Sequence, residues 1–305
     1  MPTLDQHPAL ELVKLLHVGP SGSGKTGSLV SLVEAGYKLF ILDYDKGLDI
    51  IANTLRADGK AHLMKNVHYE TIMEEMKLKG GKATVGSARA FRRAGEVLNE
   101  WHAENFGPES IIVLDTLNTF SQMGFNEAMK IAGRLGLPGD AGRPRIQEYG
   151  IMADMVLAFI DMLTNVTTSR TDAEGKTVTI PGVDCHVIVN THVKYLAAED
   201  EALLASRDKN IEFTRALGVP EAKGQEISRN IAKYFNTIVY STPVGRGPTA
   251  RRTIYTTPQG VVDVKTSAPH SVKPNYPVET GMADLFRDIL GHGAPVAQPT
   301  ALKSA

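Results

Sequence analysis

The octet Gly19-Pro20-Ser21-Gly22-Ser23-Gly24-Lys25-Thr26 fits the pattern G-x-x-x-x-G-K-[ST] at every fixed position. Glycines lack a Cβ, so successive backbone N–H groups can turn toward one concavity and hold an anion that carries several negative oxygens. A helix opening directly after the loop adds partial positive charge at its N-terminus. In that setting the Lys25 ammonium reaches the β- and γ-phosphates of a nucleoside triphosphate, and the Thr26 hydroxyl is a ligand for Mg²⁺. The bland alternative is a Gly/Ser-rich turn without a ligand. The complete match argues for phosphate binding, with ATP and Mg²⁺ as the expected cofactors.

Three further polar positions stand at the ends of apolar runs. Ile111-Ile112-Val113-Leu114 precede Asp115, the pattern of a buried strand delivering a carboxylate beside a phosphate loop. Asp115 is therefore the expected holder of the Mg²⁺ water shell. Thr116, not Glu, follows it, so a base adjacent to this carboxylate is missing. Leu39 to Leu42 run into Asp43-Tyr44-Asp45, and acidic residues at the carboxyl end of a strand sit where open α/β sheets bind ligands. Asp45 is the candidate to orient or deprotonate an attacking water. The competing reading is that Asp43 and Asp45 cap a turn or the next helix. Cys185 to Val189 lead into Asn190-Thr191-His192, and Asn190 or His192 can sense a γ-phosphate by hydrogen bonding.

Basic residues fall in three groups. Between Lys77 and Arg93 there are three lysines and three arginines and no acid. They are phosphate contacts or a solvated face. Arg134, Arg143 and Arg145 flank Asp140 in a Gly/Pro-rich stretch that reads as a mobile loop. Arg246, Arg251 and Arg252 surround a turn and its return strand, as contacts to DNA or to a neighbour's ATP, or as guards of a sheet edge.

The elements that must position these groups follow from periodicity. Leu12–Val18 is a strand before the loop, and Thr26–Ala35 an amphipathic helix closed by Gly36. Strands are expected at 38–42, 67–72, 110–115, 185–189, 237–241 and 251–257. Helices are expected at 48–55, 87–105, 126–132, 146–163, 225–234 and 282–290, with Ile146, Tyr149, Ala153, Val156, Ile160 and Leu163 in step along the fourth of these. Thr167–Thr179 reads as a β-hairpin insertion. The chain of 305 residues, 42% hydrophobic and 22% charged, suits one large α/β core, assigned to 11–266, with a loose lead-in at 1–10 and a Pro/Ala-rich tail carrying a short helix at 267–305. Net charge is −1, so nucleic-acid binding would need local basic patches. One cysteine, Cys185, excludes an intramolecular disulfide and a multi-cysteine metal site and fits a reducing cytoplasm. No apolar run approaches a membrane span.

The order of these signals, with Asp43-Tyr44-Asp45-Lys46-Gly47-Leu48-Asp49 after the loop, then Ile111–Asp115, then Val187–His192, then a β-hairpin edge, resembles the RecA-like ATPases. It more closely resembles phage-encoded nucleotide-binding proteins of the AAA-domain type, some of them RecA/Rad51-like single-strand annealing proteins. The resemblance implies a RecA-like α/β fold, a mostly parallel central sheet with helices on both faces and an antiparallel β edge. It places Asp45 where those proteins keep a catalytic Glu, Asn190 or His192 where they keep a phosphate sensor, and the 133–145 and 193–224 segments as analogues of DNA-binding loops. It implies hydrolysis of ATP through Lys25, Asp45 and Asp115, action on single-stranded DNA in annealing or recombination, a homo-oligomer, a single-strand DNA-binding protein as a further partner, and no membrane. The competing readings are an ATP-switched DNA-binding or assembly module with little turnover, and another P-loop motor or kinase.

Overall fold

The computed structural model describes residues 11–79, 82–171, 177–180, 182–195, 218–245, 251–260 and 262–291. Strand β1 (Lys14–Val18) enters the phosphate loop, helix α1 (Lys25–Glu34) leaves it, and β2 (Lys38–Asp43) returns to the sheet. Helix α2 (Asp49–Ala57), β3 (Val67–Thr71), a small hairpin of β4 (Met76–Lys79) and β5 (Lys82–Val85), and α3 (Ala90–Glu100) follow. Next come β6 (Ser110–Asp115), α4 (Leu117–Ile131), α5 (Ile146–Thr164), a hairpin of β7 (Thr168–Thr171) and β8 (Thr177–Ile180), and β9 (His186–Thr191). The rest comprises β10 (Val193–Tyr195), β11 (Gly218–Pro220), α6 (Gln225–Asn230), β12 (Thr237–Val244), β13 (Arg251–Tyr255), β14 (Asn275–Pro277) and α7 (Val278–Leu290).

Eight strands form the main sheet in the order β14-β13-β12-β1-β9-β6-β2-β3. Pairings from β12 through β3 are parallel, and β13 and β14 join antiparallel. The central strands are buried on both faces, which is why they read as unbroken apolar runs. Alternate residues feed two cores. Leu16, Ile112, Leu114, Val187 and Val189 pack against α3 to α6 on one face. Leu15, Ile111, Val113 and Ile188 pack against α1, α2 and α7 on the other. The chain thus has the expected α/β architecture, a mostly parallel sheet with helices on both faces and antiparallel strands at one side. Each such Leu or Ile contributes roughly 1.5–3 kcal/mol by leaving water, so the strand ends that carry the polar residues are rigidly held.

Four expectations change. Helix α4 starts at Leu117 rather than 126, directly after Asp115. A Cβ on its Gly124 would lie 2.9 Å from Val156 Cγ2 and 3.3 Å from Phe91, so the glycine permits close packing of α4 on α5 and α3. Ile146, placed on the buried stripe of α5, is 86% exposed at the helix start. Gly139–Gly142 form a 3₁₀ turn within the stretch read as a mobile loop. The segment 275–290, read as tail, folds onto the domain: Tyr276, Val278, Met282, Leu285 and Phe286 are buried in the same core as α1. The lead-in 1–10 and the chain beyond 291 lie outside the described residues.

Candidate nucleotide site

The loop is built as its composition requires. Gly22 and Gly24 have φ of +75° and +89°, which side-chain-bearing residues rarely adopt. A Cβ on Gly19 would collide with the Ser241 carbonyl and the Ser23 hydroxyl, and one on Gly24 would lie 2.7 Å from Val278 Cγ1 and 3.0 Å from Arg252 Cδ. Beneath the loop, the His17 ring on β1 bonds the Ser241 hydroxyl on β12. Burial among apolar neighbours pushes the His17 pKa down to about 3, with the Lys25 charge adding to it, so this ring is a neutral structural prop.

Lys25 is buried, and its ammonium donates to the carbonyls of Gly19 at 2.8 Å and Pro20 at 3.0 Å and faces His192 Nδ1 at 3.3 Å. All three N–H bonds therefore have acceptors within the site. Burial lowers the Lys25 pKa to about 8, against the pull of Asp115, Asp45 and Glu221. The Thr26 hydroxyl donates to Asp115 Oδ2 at 2.7 Å.

Asp115 ends β6, and the neighbouring strand β9 brings Asn190 level with it in register. The Asn190 amide donates to Asp115 Oδ1 at 3.1 Å. Asn190 and Asp115 are both buried. Burial raises the Asp115 pKa, opposed by the hydrogen bonds from Thr26 and Asn190, while the Asp45 charge adds to the rise.

Asp45 follows the neighbouring strand β2, whose Asp43 is level with Asp115. It accepts from Thr119 Oγ1 at 2.6 Å and from Thr116 Oγ1 at 3.1 Å, and His192 Nε2 stands 3.7 Å from its Oδ2. The His192 interaction is the largest influence holding the Asp45 pKa below the usual carboxylate range, helped by the two threonines and opposed by partial burial. With Lys25 on one side, the His192 Nδ1 lone pair points at the ammonium and the ring hydrogen sits on Nε2, facing Asp45. Asp43 has the other fate considered for it: it accepts from the Lys46 N–H and the Thr71 hydroxyl and fixes the turn.

These groups share one cavity of about 740 Å³. Its walls include Ser21, Gly22, Gly24 to Gly27, Asp45, Asp115, His192, Ile50 and Thr54 of α2, Arg252, and Val278 to Thr280 at the start of α7. Of the two proposed sensors, His192 lines the cavity, whereas Asn190 stands behind Asp115 and positions it.

The candidate arginines separate. Arg134 is turned inward, with Nε 3.0 Å from the buried carboxylate of Glu148, and is a core ion pair rather than a surface contact. Arg145 precedes α5 and its backbone N–H donates to that same carboxylate. Arg143 is exposed, 3.6 Å from Asp140. Strand β14 pairs with Thr253 to Tyr255 of β13, so Arg251 and Arg252 extend beyond it. Arg252 lines this chain's own cavity and makes no ion pair among the described residues; a contact to the ligand of its own subunit joins the edge-guard, DNA and neighbour-ATP readings. Arg246 lies outside the described residues.

Thr116, Thr119 and the start of α7 were not anticipated. The Thr116-Leu117-Asn118-Thr119 string directly after the strand was the available signal for the first two; the helix at 282–290 is legible, but nothing in its sequence marks its start as a wall of the site.

The loop fits a triphosphate with Mg²⁺. Gly19 and Gly24 have no room for a Cβ, and the buried Ser23 hydroxyl has no partner within the protein. Among the described residues no three His, Cys, Asp or Glu side chains are grouped as metal ligands. That suits Mg²⁺, which takes one or two protein ligands together with phosphate oxygens.

No protein-family model matches the chain, and no curated protein matches it. Among solved structures, the chain is similar to a KaiC-like protein from the hyperthermophilic archaeon Pyrococcus horikoshii OT3. The identity is 12% and the TM-score 0.38, over 87% of this chain and 84% of that one. At that TM-score the likeness carries no residue roles. The sheet order, with Asp115 and Asn190 at the ends of neighbouring parallel strands beside the phosphate loop, gives the α/β architecture expected from the sequence.

Proposed function

We propose that this protein binds and hydrolyses ATP with Mg²⁺ and acts on single-stranded DNA, in the manner of the phage-type annealing and recombination ATPases that its motif order resembles. The observation that carries the ATPase reading is that two carboxylates line one cavity with the phosphate loop. Asp115 is held by Thr26 and Asn190 beside the loop, and Asp45 is held by Thr116, Thr119 and His192, whose other ring nitrogen faces Lys25. Thr26 and Asp115 are the groups that would hold Mg²⁺, whose chemistry is to neutralise charge on the phosphate oxygens.

In this reading each residue of the chain has one task. Loop N–H groups, Lys25 and Arg252 bind and orient the phosphates. Asp45, kept ionised, accepts hydrogen bonds and so orients a water for in-line attack. His192 links Asp45 to Lys25. When a phosphate draws the ammonium away, the Nδ1 lone pair loses its partner and the ring can reorient, which makes it the sensor that reports on the γ-phosphate.

The test is phosphate release from ATP with Mg²⁺, with and without a poly-dT oligonucleotide. Turnover that needs Mg²⁺ and disappears in Lys25→Ala supports the reading; none under any condition, with ATP still bound, leaves the ATP-switched assembly module. That second reading is favoured by Asp45, whose two oxygens already accept from hydroxyls. A phosphorylated small-molecule product would point instead to a kinase, and directional force on DNA to a packaging-type motor.

A further inference from the structure

The hairpin β4–β5 takes no part in the nucleotide cavity, yet it carries an unusual charge pattern. Its antiparallel register pairs Met76 with Val85, Lys77 with Thr84, Leu78 with Ala83, and Lys79 with Lys82. Two lysines are thus cross-strand partners, with Lys77 two residues along the same strand. Like charges directly opposite on a ladder are destabilising, and a lone two-stranded hairpin is marginal in water to begin with. No acid lies between Met76 and Arg93 to offset them. Glu74, just before the hairpin, is engaged elsewhere, accepting from the backbone N–H of Arg89 at the start of α3 and from Asn126. The apolar residues that alternate with these lysines are left in water: Leu78 is 83% exposed and Met76 is 55% exposed.

We infer that the β4–β5 hairpin is a binding surface for single-stranded nucleic acid, with its lysines on the phosphates and Met76 and Leu78 against the bases. This rests on the proposed action on single strands and names the surface that performs it. A polyanion relieves the repulsion that this register sets between cross-strand lysines. Exposed large apolar side chains fit a single strand better than a duplex, because only the single strand has uncovered bases to lay on them. Phosphate contacts of this kind are sequence-independent and release counterions.

The experiment is a fluorescence-anisotropy titration of the full chain, with ATP and Mg²⁺, onto a labelled poly-dT oligonucleotide at several salt concentrations. It compares the parent with Lys77→Gln/Lys79→Gln and with Leu78→Ser. Loss of two phosphate contacts flattens the slope of log K against log salt by about 1.4, at about 0.7 per contact on a single strand. Leu78→Ser weakens binding severalfold and leaves the slope unchanged. Binding of a fluorescent ATP analogue at the parent's affinity shows that each variant is folded, since neither residue lines the cavity. Parent-like affinity and slope in both variants overturn the hairpin assignment while single-strand binding by the parent stands. A parent that binds no single strand at low salt overturns the DNA reading itself, and the hairpin assignment with it. Equal competition by duplex DNA, or a changed oligomer size with unchanged binding per subunit, also overturns the assignment.

Discussion

The Asn190 amide donates to Asp115 Oδ1 from the adjacent strand, 75 residues further along the chain and in register with it. It leaves the second carboxylate oxygen to Thr26 alone. Removing the amide should therefore act on both folding and metal use. Asn190→Ala is expected to cost about 1.5–3 kcal/mol, the range for a lost hydrogen bond to a charged group, and to raise the Mg²⁺ concentration needed for turnover. Urea denaturation and a Mg²⁺ titration of phosphate release measure the two effects. An unchanged Mg²⁺ requirement would remove the positioning role.

Asp45→Asn keeps the shape of the side chain and removes its charge. Turnover should fall by about 10²–10⁴, the range for a positioned acid–base group, with ATP affinity within a few-fold of the parent. Single-turnover phosphate release and equilibrium binding separate the two quantities. His192→Gln should lower turnover to a smaller extent and blunt any stimulation by single strands.

Arg252 and Lys25 line the same cavity. Arg252→Ala should weaken ATP binding by about tenfold, the effect of about 1.4 kcal/mol. Subunits carrying Arg252→Ala mixed with subunits carrying Lys25→Ala should regain no activity, because both residues serve the site of their own chain. Restored turnover in the mixture would mean that Arg252 serves a neighbour.

Gly24 at φ +89° has Val278 and Arg252 against it. Gly24→Ala combines a disfavoured backbone conformation, worth roughly 1–2 kcal/mol, with a clash against the start of α7. Expected are a lower Tm and loss of nucleotide binding. A parent-like Tm with intact binding would show that α7 does not press on the loop.

Stability should rise with pH on the alkaline side. Burial lowers the pKa of both Lys14 and Lys25 from 10.5 to about 8. Between those values the unfolded chain holds more protons than the folded one, so stability increases as pH rises. Each lysine contributes up to about 3 kcal/mol. Above about 10 the trend reverses, because burial raises the phenol pKa of Tyr44 and Tyr276 and the unfolded chain ionises them first. Lys14 donates to the Leu163 and Val183 carbonyls, away from the cavity. Lys14→Met should flatten the rise without touching turnover, as guanidinium melts from pH 7 to 10 would show. A rise of the same size in the variant would refute the assignment.

Much of this was legible because buried parallel strands announce themselves. Apolar runs ending in a polar residue gave β2, β6 and β9 together with Asp45, Asp115 and Asn190, and local geometry gave the loop. What stayed hidden depends on partners distant in sequence. The first half of α4, from Leu117, is not read as helix until Gly124 is seen packed against Val156 and Phe91. Arg134 looks like a surface charge until Glu148 is found buried near it. Neither Asn190 nor His192 carries a local mark to separate them; one is turned to a neighbouring carboxylate and the other to the open cavity.

The phosphate loop meets Val278 some 250 residues later in the sequence, and β1 lies between β9 and β12, both from the second half of the chain. During synthesis the loop is therefore made well before the parts that complete it. A ribosome-bound chain that stops short of β12 has a central strand without one of its neighbours and a cradle without its wall. Topologies so dominated by distant pairings fold slowly and expose apolar strands meanwhile. Early ligand binding cannot template this fold; the site's competence is the sign that folding has finished.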